Sequence, residues 1–214
     1  MSEIKLQADS GGGTVAWKGP ATTTSNANVQ FVLPIADGTA GQVLTTNGSG
    51  QLEWKTPSIG VADQWRMTAT KTVSGGDSVI TADWEQVDTG GQGTLGSALT
   101  QSSGIFTFPS TGIYYIQFST GADQGGPENN MRSKIEVTIN NGTAWASVAE
   151  GFASLHDRPG NVFDGMQCQS LIDVTDTAQV KVRFVCYASA DNTEFGGETG
   201  KNLTYFTALR VGDT

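Results

Sequence analysis

Residues 104–118 read Gly104-Ile-Phe-Thr-Phe-Pro-Ser-Thr-Gly112-Ile-Tyr-Tyr-Ile-Gln-Phe118, and this stretch decides the fold class. Two runs rich in aromatic and β-branched residues flank a Pro-Ser-Thr-Gly turn, which is the pattern of two β-strands. Because neighbouring side chains on a strand point to opposite faces, Tyr114 and Tyr115 cannot both fill one core. We expect one of these tyrosines inside the protein and the other facing water or another subunit.

The rest of the 214-residue chain favours the same class. Glycine contributes 28 residues, and charged residues make up only 15%, so turn formers and uncharged polar residues replace the usual helix formers. Further alternating runs occur between residues 61 and 214, at the short spacing of a sandwich or jelly roll with roughly nine or ten strands. We predict an all-β protein with two parts, a short β-rich segment over residues 1–60 and a larger β domain over residues 61–214.

The charge and hydropathy exclude several classes of partner. The net charge is −9, and no basic stripe is present to neutralise phosphates, so we expect no nucleic-acid partner. No apolar run approaches the ~20 residues that span a bilayer, so we expect no membrane insertion. Residues 1–10 lack the apolar core of an export signal, which predicts a protein made in the cytoplasm and released only by lysis or inside a particle.

Two groupings that look like catalytic motifs are better explained without catalysis. The only histidine, His156, lies in Ser154-Leu-His-Asp-Arg-Pro159, whereas a catalytic triad is assembled from distant chain positions. Residues 91–96 match G-x-G-x-x-G, but neither a buried strand nor a helix flanks them, so we interpret them as a loop. The sequence therefore predicts no catalytic residue and no enzyme.

Acidic loops at residues 123–130 and 191–198 are the only candidates for a cation site. Calcium takes about six to eight oxygen ligands, and neither loop has the spacing of a known calcium loop. We interpret both as solvated loops, and calcium stays open as an alternative. With one histidine and two cysteines we expect no zinc site, and the sequence predicts no cofactor.

The two cysteines lie on either side of a turn at residues 174–179. If the flanking strands form a hairpin, Cys168 faces Cys186 and Ile172 faces Val182. In the absence of an export signal we expect two reduced thiols in the core, although a disulfide stays open as the alternative.

Three stretches resemble the C1q/TNF-like jelly-roll superfamily. Residues 104–115 look like its signature, residues 173–182 are similar to its penultimate hairpin, and residues 204–211 are similar to its closing strand. Order and spacing agree across residues 62–214. The resemblance implies a ten-stranded jelly roll, a homotrimer with aromatic and apolar residues along its threefold axis, and ligand binding at loops without catalysis. The calcium ligands of the family do not map onto this sequence.

The predicted contact residues follow from this architecture. Aromatic residues on the two strands nearest the axis are the candidates for the trimer interface: Tyr114, Tyr115, Tyr205 and Phe206. Ligand contacts are expected on three polar loops, residues 121–130, 155–163 and 189–201, because functional residues concentrate on loops over a rigid scaffold. The candidate ligand-contact residues are Asp123, Glu128, Asn130, His156, Asp157, Arg158, Asp191, Glu194 and Glu198.

The N-terminal part has a resemblance of its own. Leu33-Pro-Ile-Ala-Asp-Gly-Thr-Ala-Gly-Gln-Val-Leu44, followed by Gly48, Gly50 and Trp54, is similar to a module of bacteriophage fibre and other virion proteins. The similarity covers residues 14–56. It implies that residues 1–60 dock onto other virion proteins and start the trimer, while residues 61–214 form a distal knob.

These observations predict a structural virion protein of a tailed bacteriophage, made in the host cytoplasm. We expect a trimeric fibre or appendage knob that attaches to a host-surface glycan or protein by multivalent loop contacts. The alternative is a capsid-decorating or assembly protein without a host ligand. A third alternative, a glycan-degrading enzyme, needs paired carboxylates; Asp157 and Asp164 are available for this, but nothing in the sequence marks them as a catalytic pair.

Overall fold

The protein is described by a computed structural model that covers residues 3–7, 14–18, 20, 22–24, 28–55, 59–124, 128–155, 162–189 and 192–214. The elements found in these ranges are all β-strands. The chain divides into two compact units, residues 1–58 and 59–214. No helix among the described residues is long and apolar enough to cross a membrane.

The first unit consists of two small antiparallel pairs. Its strands are β1 (Glu3–Gln7), β2 (Thr14–Lys18), β3 (Val43–Thr46) and β4 (Leu52–Lys55), with β1 paired to β2 and β3 to β4. The Trp54 indole packs flat on Gly38, where an added Cβ would lie 2.7 Å from the ring, and it donates to the carbonyl of Ala36 at 3.1 Å. Phe31 and Leu33 nevertheless remain 63% and 67% exposed. A unit this small leaves apolar surface for a partner to cover.

The second unit is a sandwich of two antiparallel sheets. Its strands are β5 (Val61–Met67), β6 (Lys71–Val73), β7 (Gly76–Val79), β8 (Trp84–Gln86), β9 (Thr100–Ser102), β10 (Ile105–Thr107), β11 (Gly112–Gln124), β12 (Glu128–Thr138), β13 (Ala146–Leu155), β14 (Val162–Val174), β15 (Lys181–Ala188), β16 (Thr193–Phe195) and β17 (Tyr205–Gly212). The front sheet has the order β14-β11-β17-β5-β8, and β16 and β6 continue it beside the second half of β11. The back sheet has the order β13-β12-β15-β10-β9, and β7 also pairs with β15. The predicted all-β sandwich is confirmed.

Side chains along β11 alternate between the core and the outer face of the front sheet. Tyr114, Ile116 and Phe118 are fully buried between the sheets, whereas Tyr115 and Gln117 point outward. The prediction that only one of the two neighbouring tyrosines enters the core is therefore confirmed, and Tyr114 is the buried one.

Aromatic side chains from both sheets form the centre of the core. Phe184 of the back sheet stacks on Phe206 of the front sheet with ring centroids 4.3 Å apart. Phe106 lies 4.6 Å from Phe206 in an edge-on arrangement, and Trp84 lies 5.4 Å from Phe106. Because these rings interdigitate across the sandwich, they hold the two sheets in one relative position.

The hairpin predicted for the cysteines is wrong. Cys168 on β14 lies opposite Phe118 in the front sheet, and Cys186 on β15 lies opposite Ser133 in the back sheet. Residues 175–180 therefore cross from one sheet to the other, and Ile172 does not face Val182. The prediction failed because two strands that each bury one face can be joined either by a hairpin within one sheet or by a crossover between two sheets.

The two thiols are free and buried, as expected from the sequence. Burial raises the pKa of Cys168, because the hydrogen bond from Ser133 offsets the loss of solvent only in part, and burial raises the pKa of Cys186 further. The native state therefore keeps thiol protons that the unfolded state releases above about pH 8.5.

This difference predicts an alkaline loss of stability. The contribution of the thiols is complete at neutral pH and declines as the pH rises above about 8.5, so the midpoint of urea unfolding should fall between about pH 8 and pH 10. The variant Cys186→Ala should show a shallower decline from its own lower starting midpoint. An equally steep decline in the variant would assign the effect to other groups.

Candidate functional site

A groove of about 600 Å³ lies at one end of the front sheet, on its outer face. Its lining comes from the second half of β11, the start of β14 and the segment around β16. These are the described ends of the three loops in which ligand contacts were predicted. The fold thus brings three separate parts of the chain together at a single concave surface.

Three glycines on adjacent segments form the floor of the groove. Gly121 on β11 lies opposite Gly165 on β14, and the amide of Gly196 donates to the carbonyl of Gly121 at 2.9 Å. Odd-numbered residues of β11 point outward, so a side chain at Gly121 would project into the groove, where an added Cβ would meet only the carbonyl of Leu203 at 3.6 Å. The floor is bare backbone that a ligand can approach closely.

A row of three side chains borders this floor. Asp123 lies between Phe163 on β14 and Glu194 on β16, directly opposite each of them. Phe163 is 72% exposed. Two carboxylates placed opposite each other on neighbouring strands repel, and no ion pair with either of them occurs among the described residues. Asp164 also borders the groove, but the strand period points its side chain to the face opposite Phe163, and its carboxylate accepts a hydrogen bond from the amide of Gly165 at 2.8 Å.

The structure brings two of the predicted ligand-contact residues, Asp123 and Glu194, into this groove. Glu198 lies outside the groove lining and is paired with Lys201 at 3.1 Å. Four predicted ligand-contact residues fall outside the described residues, namely His156, Asp157, Arg158 and Asp191.

The predicted loop over residues 121–130 needs correction. β11 continues to Gln124 and β12 begins at Glu128, so Glu128 and Asn130 belong to a strand rather than to a loop. The ends of β11 and β12 extend beyond the core, so packing does not require apolar side chains there. Because these strand ends are polar, the sequence pattern resembles that of a loop. The side chain of Glu128 lies outside the description.

Sequence reasoning did not select Phe163 or the three glycines as site residues. A signal was present in the strand period, because Met166 and Cys168 occupy core positions and Phe163 must then point outward. The convergence of Gly121, Gly165 and Gly196 carried no such signal, since it depends on the pairing of strands that are distant in the sequence.

No group of three or more histidine, cysteine, aspartate or glutamate side chains with metal-holding geometry occurs in the described part of the chain. The two acidic loops considered for calcium include residues 125–127 and residue 191, which lie outside that part.

An apolar patch, here called the front patch, lies at the opposite end of the outer face of the front sheet. Tyr115 lies between Leu171 and Leu209, and Ile113 and Val211 continue the surface. Leu171 is 65% exposed and Val211 is 55% exposed. Six residues of β11 separate Tyr115 from Gly121, which places the front patch roughly 20 Å from the groove floor.

The predicted interface residues are divided between the core and this outer face. Tyr114 and Phe206 are wholly buried within one chain, so another subunit cannot contact them in the folded state. This part of the interface prediction is corrected, because both residues occupy inward positions of their strands. Tyr115 and Tyr205 are half-buried on the outward side, where an interface can include them.

The outer face of the back sheet has a different character. Arg132 pairs with Glu150 at 3.2 Å, and its guanidinium lies over the rings of Phe152 and Tyr187. Nearby ion pairs join Lys134 to Asp77 and Arg183 to Glu136, and Trp145 lies 4.3 Å from the Arg183 guanidinium. These charges are satisfied within one chain, as expected of a face that meets water.

The two sheets, their order and the crossover after β14 define an all-β jelly roll of the TNF type. No protein-family model and no curated protein matches the chain. Among solved structures, Eiger TNF from S. frugiperda superposes with a TM-score of 0.50 at 11% identity, over 73% of this chain and 96% of that one. Murine APRIL at pH 8.5 gives a TM-score of 0.49 at 10% identity, over 71% of this chain and 98% of that one. The likeness to Eiger shows the fold, and the predicted C1q/TNF-like jelly roll is confirmed.

Proposed function

We propose that the protein is a homotrimeric, non-catalytic binding head, namely the knob of a fibre or appendage on the virion of a tailed bacteriophage. The observation that carries this proposal is the division of the outer face of the front sheet into two regions. An apolar front patch lies at one end, and an open acidic groove lies at the other. The first region suits self-assembly and the second suits a ligand.

The front patch supports assembly through the front sheet. It groups five outward apolar side chains, with the exposed carboxylate of Asp173 at its border opposite Ile113. The outer face of the back sheet instead pairs its charges internally. The five apolar residues of the front patch are Ile113, Tyr115, Leu171, Leu209 and Val211. Exposed apolar patches on a folded domain mark interaction sites, and a closed ring of three copies would bury three identical patches around one axis.

The groove and the start of the second unit lie at opposite ends of the front sheet. The chain enters the domain at Ile59, and Val61 lies opposite Arg210 beside the front patch. The groove is therefore at the end of the sheet away from the point of entry. In a trimer, three such grooves would be displayed together, and weak single contacts would combine into avid binding.

Support for a virion role comes from the first unit. Residues 14–56 resemble a virion-protein module, and the described part of that unit exposes Phe31, Leu33 and Ile35. We propose that the same segments of the other two copies, or neighbouring virion proteins, cover these side chains.

The assembly is tested by the native mass of the full chain. We expect a species of about 67 kDa, three times the 22.4 kDa subunit. Leu171→Glu places a charge in the front patch and should shift the protein to monomer with the fold intact, because this side chain is exposed in the single chain. Ile139→Glu is the matched control, since Ile139 is 76% exposed and lies outside the front patch, and it should remain trimeric.

A wild-type chain that stays monomeric, or a Leu171→Glu variant that stays trimeric, would reject assembly through this face. Attachment is tested separately by adsorption of the labelled trimer to host cells, which the monomeric variant should lose by about 100-fold or more. An intact trimer that binds no host cell would instead favour the capsid-decorating role.

A further inference from the structure

We propose that the groove binds a saccharide that carries a free, positively charged amino group. The inference rests on the proposed function, because it names the ligand class of the same binding head. It follows from three properties of the groove, namely its charge, its shape and the pairing of its floor strands.

The charge of the groove calls for a cation. Asp123 and Glu194 both line it from the outer face of the sheet, and its described lining contains no lysine, arginine or histidine. Asp123 and Glu194 lie directly opposite each other without an ion-pair partner among the described residues, so a positive charge from a ligand would interact favourably with both. A ligand with an ammonium group supplies that charge and donates charge-assisted hydrogen bonds to the carboxylates.

The arrangement of the carboxylates favours an organic cation over a metal ion. No three of the described acidic side chains converge with the geometry that holds a metal. A metal ion needs several oxygens at one point, whereas an amino sugar distributes one ammonium and several hydroxyl donors over a larger area. Carboxylates spread along the groove are therefore matched by a ring-shaped polyol.

The shape of the groove also fits a sugar ring. Phe163 exposes most of its ring beside a bare floor made by Gly121, Gly165 and Gly196, so a flat ligand can rest on backbone and lie against an aromatic face at once. An ammonium group close to this ring would gain a cation–π contact. The volume of about 600 Å³ lies within the usual range for small-molecule sites.

The pairing of β11 disfavours a peptide strand added across the groove floor. β11 is hydrogen-bonded to β14 on one side and to β16 on the other, so its backbone offers no free edge to an extended peptide. Among the described strands β14 pairs only with β11, so strand addition is confined to the outer edge of β14, away from Asp123 and Glu194. A ligand of these two carboxylates is therefore recognised by side chains.

The test is isothermal titration calorimetry on the full chain at pH 6, with three probes. These are the β-1,4-linked trimer of glucosamine, its fully N-acetylated counterpart and trilysine. We expect the free-amine trisaccharide to bind at least about tenfold more tightly than either of the other two, and to bind more weakly as salt is added.

Matched variants locate the binding. Asp123→Asn, Glu194→Gln and Phe163→Ala should each weaken binding of the free-amine trisaccharide by about tenfold or more. Two controls make the same chemical changes outside the groove and outside the front patch, and should leave the affinity unchanged: Asp88→Asn, exposed in the segment after β8, and Phe152→Ala, exposed on the back sheet. All five variants should keep the native mass of the wild type.

Each other outcome overturns the inference in a distinguishable way. Equal binding of the amine and N-acetylated sugars would leave a glycan site but reject the charge requirement. Tighter binding of trilysine would assign the groove to a basic peptide. No binding of any probe by a trimer that still adsorbs to host cells would reject the ligand class and leave the proposed function standing.

Discussion

Replacing Phe184 by alanine should lower the free energy of unfolding by about 3–5 kcal/mol, the largest effect expected from one substitution in the core. Phe184 is fully buried on β15 and contacts aromatic rings from both sheets. Its ring lies 4.3 Å from Phe206, 4.8 Å from Phe118 and 5.7 Å from Phe106, between ring centroids. Removing the ring leaves a cavity between the sheets. The neighbouring rings cannot move to fill it, because the strands that carry them are fixed in the two sheets.

The measurement is urea unfolding at a fixed protein concentration, because assembly would make the midpoint depend on concentration. Phe152→Ala is the matched control: Phe152 is 65% exposed on the back sheet, and its loss should cost less than about 1 kcal/mol. Equal costs for the two variants would show that the aromatic cluster is not the centre of the stable core.

Replacing Asp63 by asparagine should destabilise the protein by about 3 kcal/mol or more, although the two side chains have nearly the same shape. The Asp63 carboxylate is 2% exposed and accepts from the amide of Leu99 at 2.8 Å, the indole of Trp65 at 2.9 Å and the side-chain amide of Gln86 at 2.8 Å. It also accepts from the amide of Gln64 at 2.9 Å. An asparagine NH₂ group would face donors and leave buried hydrogen bonds unmade.

The same unfolding measurement tests Asp63, with Asp88→Asn as the control. Asp88 is exposed after β8 and lies outside the front patch, and its neutralisation should change stability by no more than about 0.5 kcal/mol. Because Asp63 holds the amide of Leu99 from 36 positions away in the chain, hydrogen exchange at that amide should also increase in the Asp63→Asn variant. Stability unchanged from the wild type would show that the carboxylate is dispensable to the fold.

Asp63 also shows what sequence reasoning misses about the fold. Asp63 was not selected from the sequence, because the strand period cannot show which partners the rest of the chain brings to a charged side chain. Its acceptor role depends on residues 86, 94 and 99, which the tertiary fold places around it. The same limitation explains the cysteines, since the sequence cannot distinguish a hairpin after β14 from a crossover to the other sheet.

The candidate site was predictable in part. Asp123 and Glu194 were selected because acidic side chains on polar segments of a β scaffold are candidates for ligand contact, and the fold does bring them side by side. Phe163 and the glycine floor were not selected. The role of an exposed aromatic residue or a glycine depends on which residues lie opposite it on the neighbouring strand. Gly121 and Gly165 are 44 positions apart, so the sequence pattern does not show that they pair.

The sequence by itself determined the secondary structure class, the rule that only one of Tyr114 and Tyr115 enters the core, and the jelly-roll resemblance. These depend on the period of two along a strand and on local turn residues, which act over a few positions of the chain. Only the tertiary structure decided which sheet each strand joins, which predicted loop residues share a groove, and which aromatic side chains stay available to another subunit. Those features depend on strand pairing between distant segments, where the packing of the whole sandwich selects one register among several that the local pattern allows.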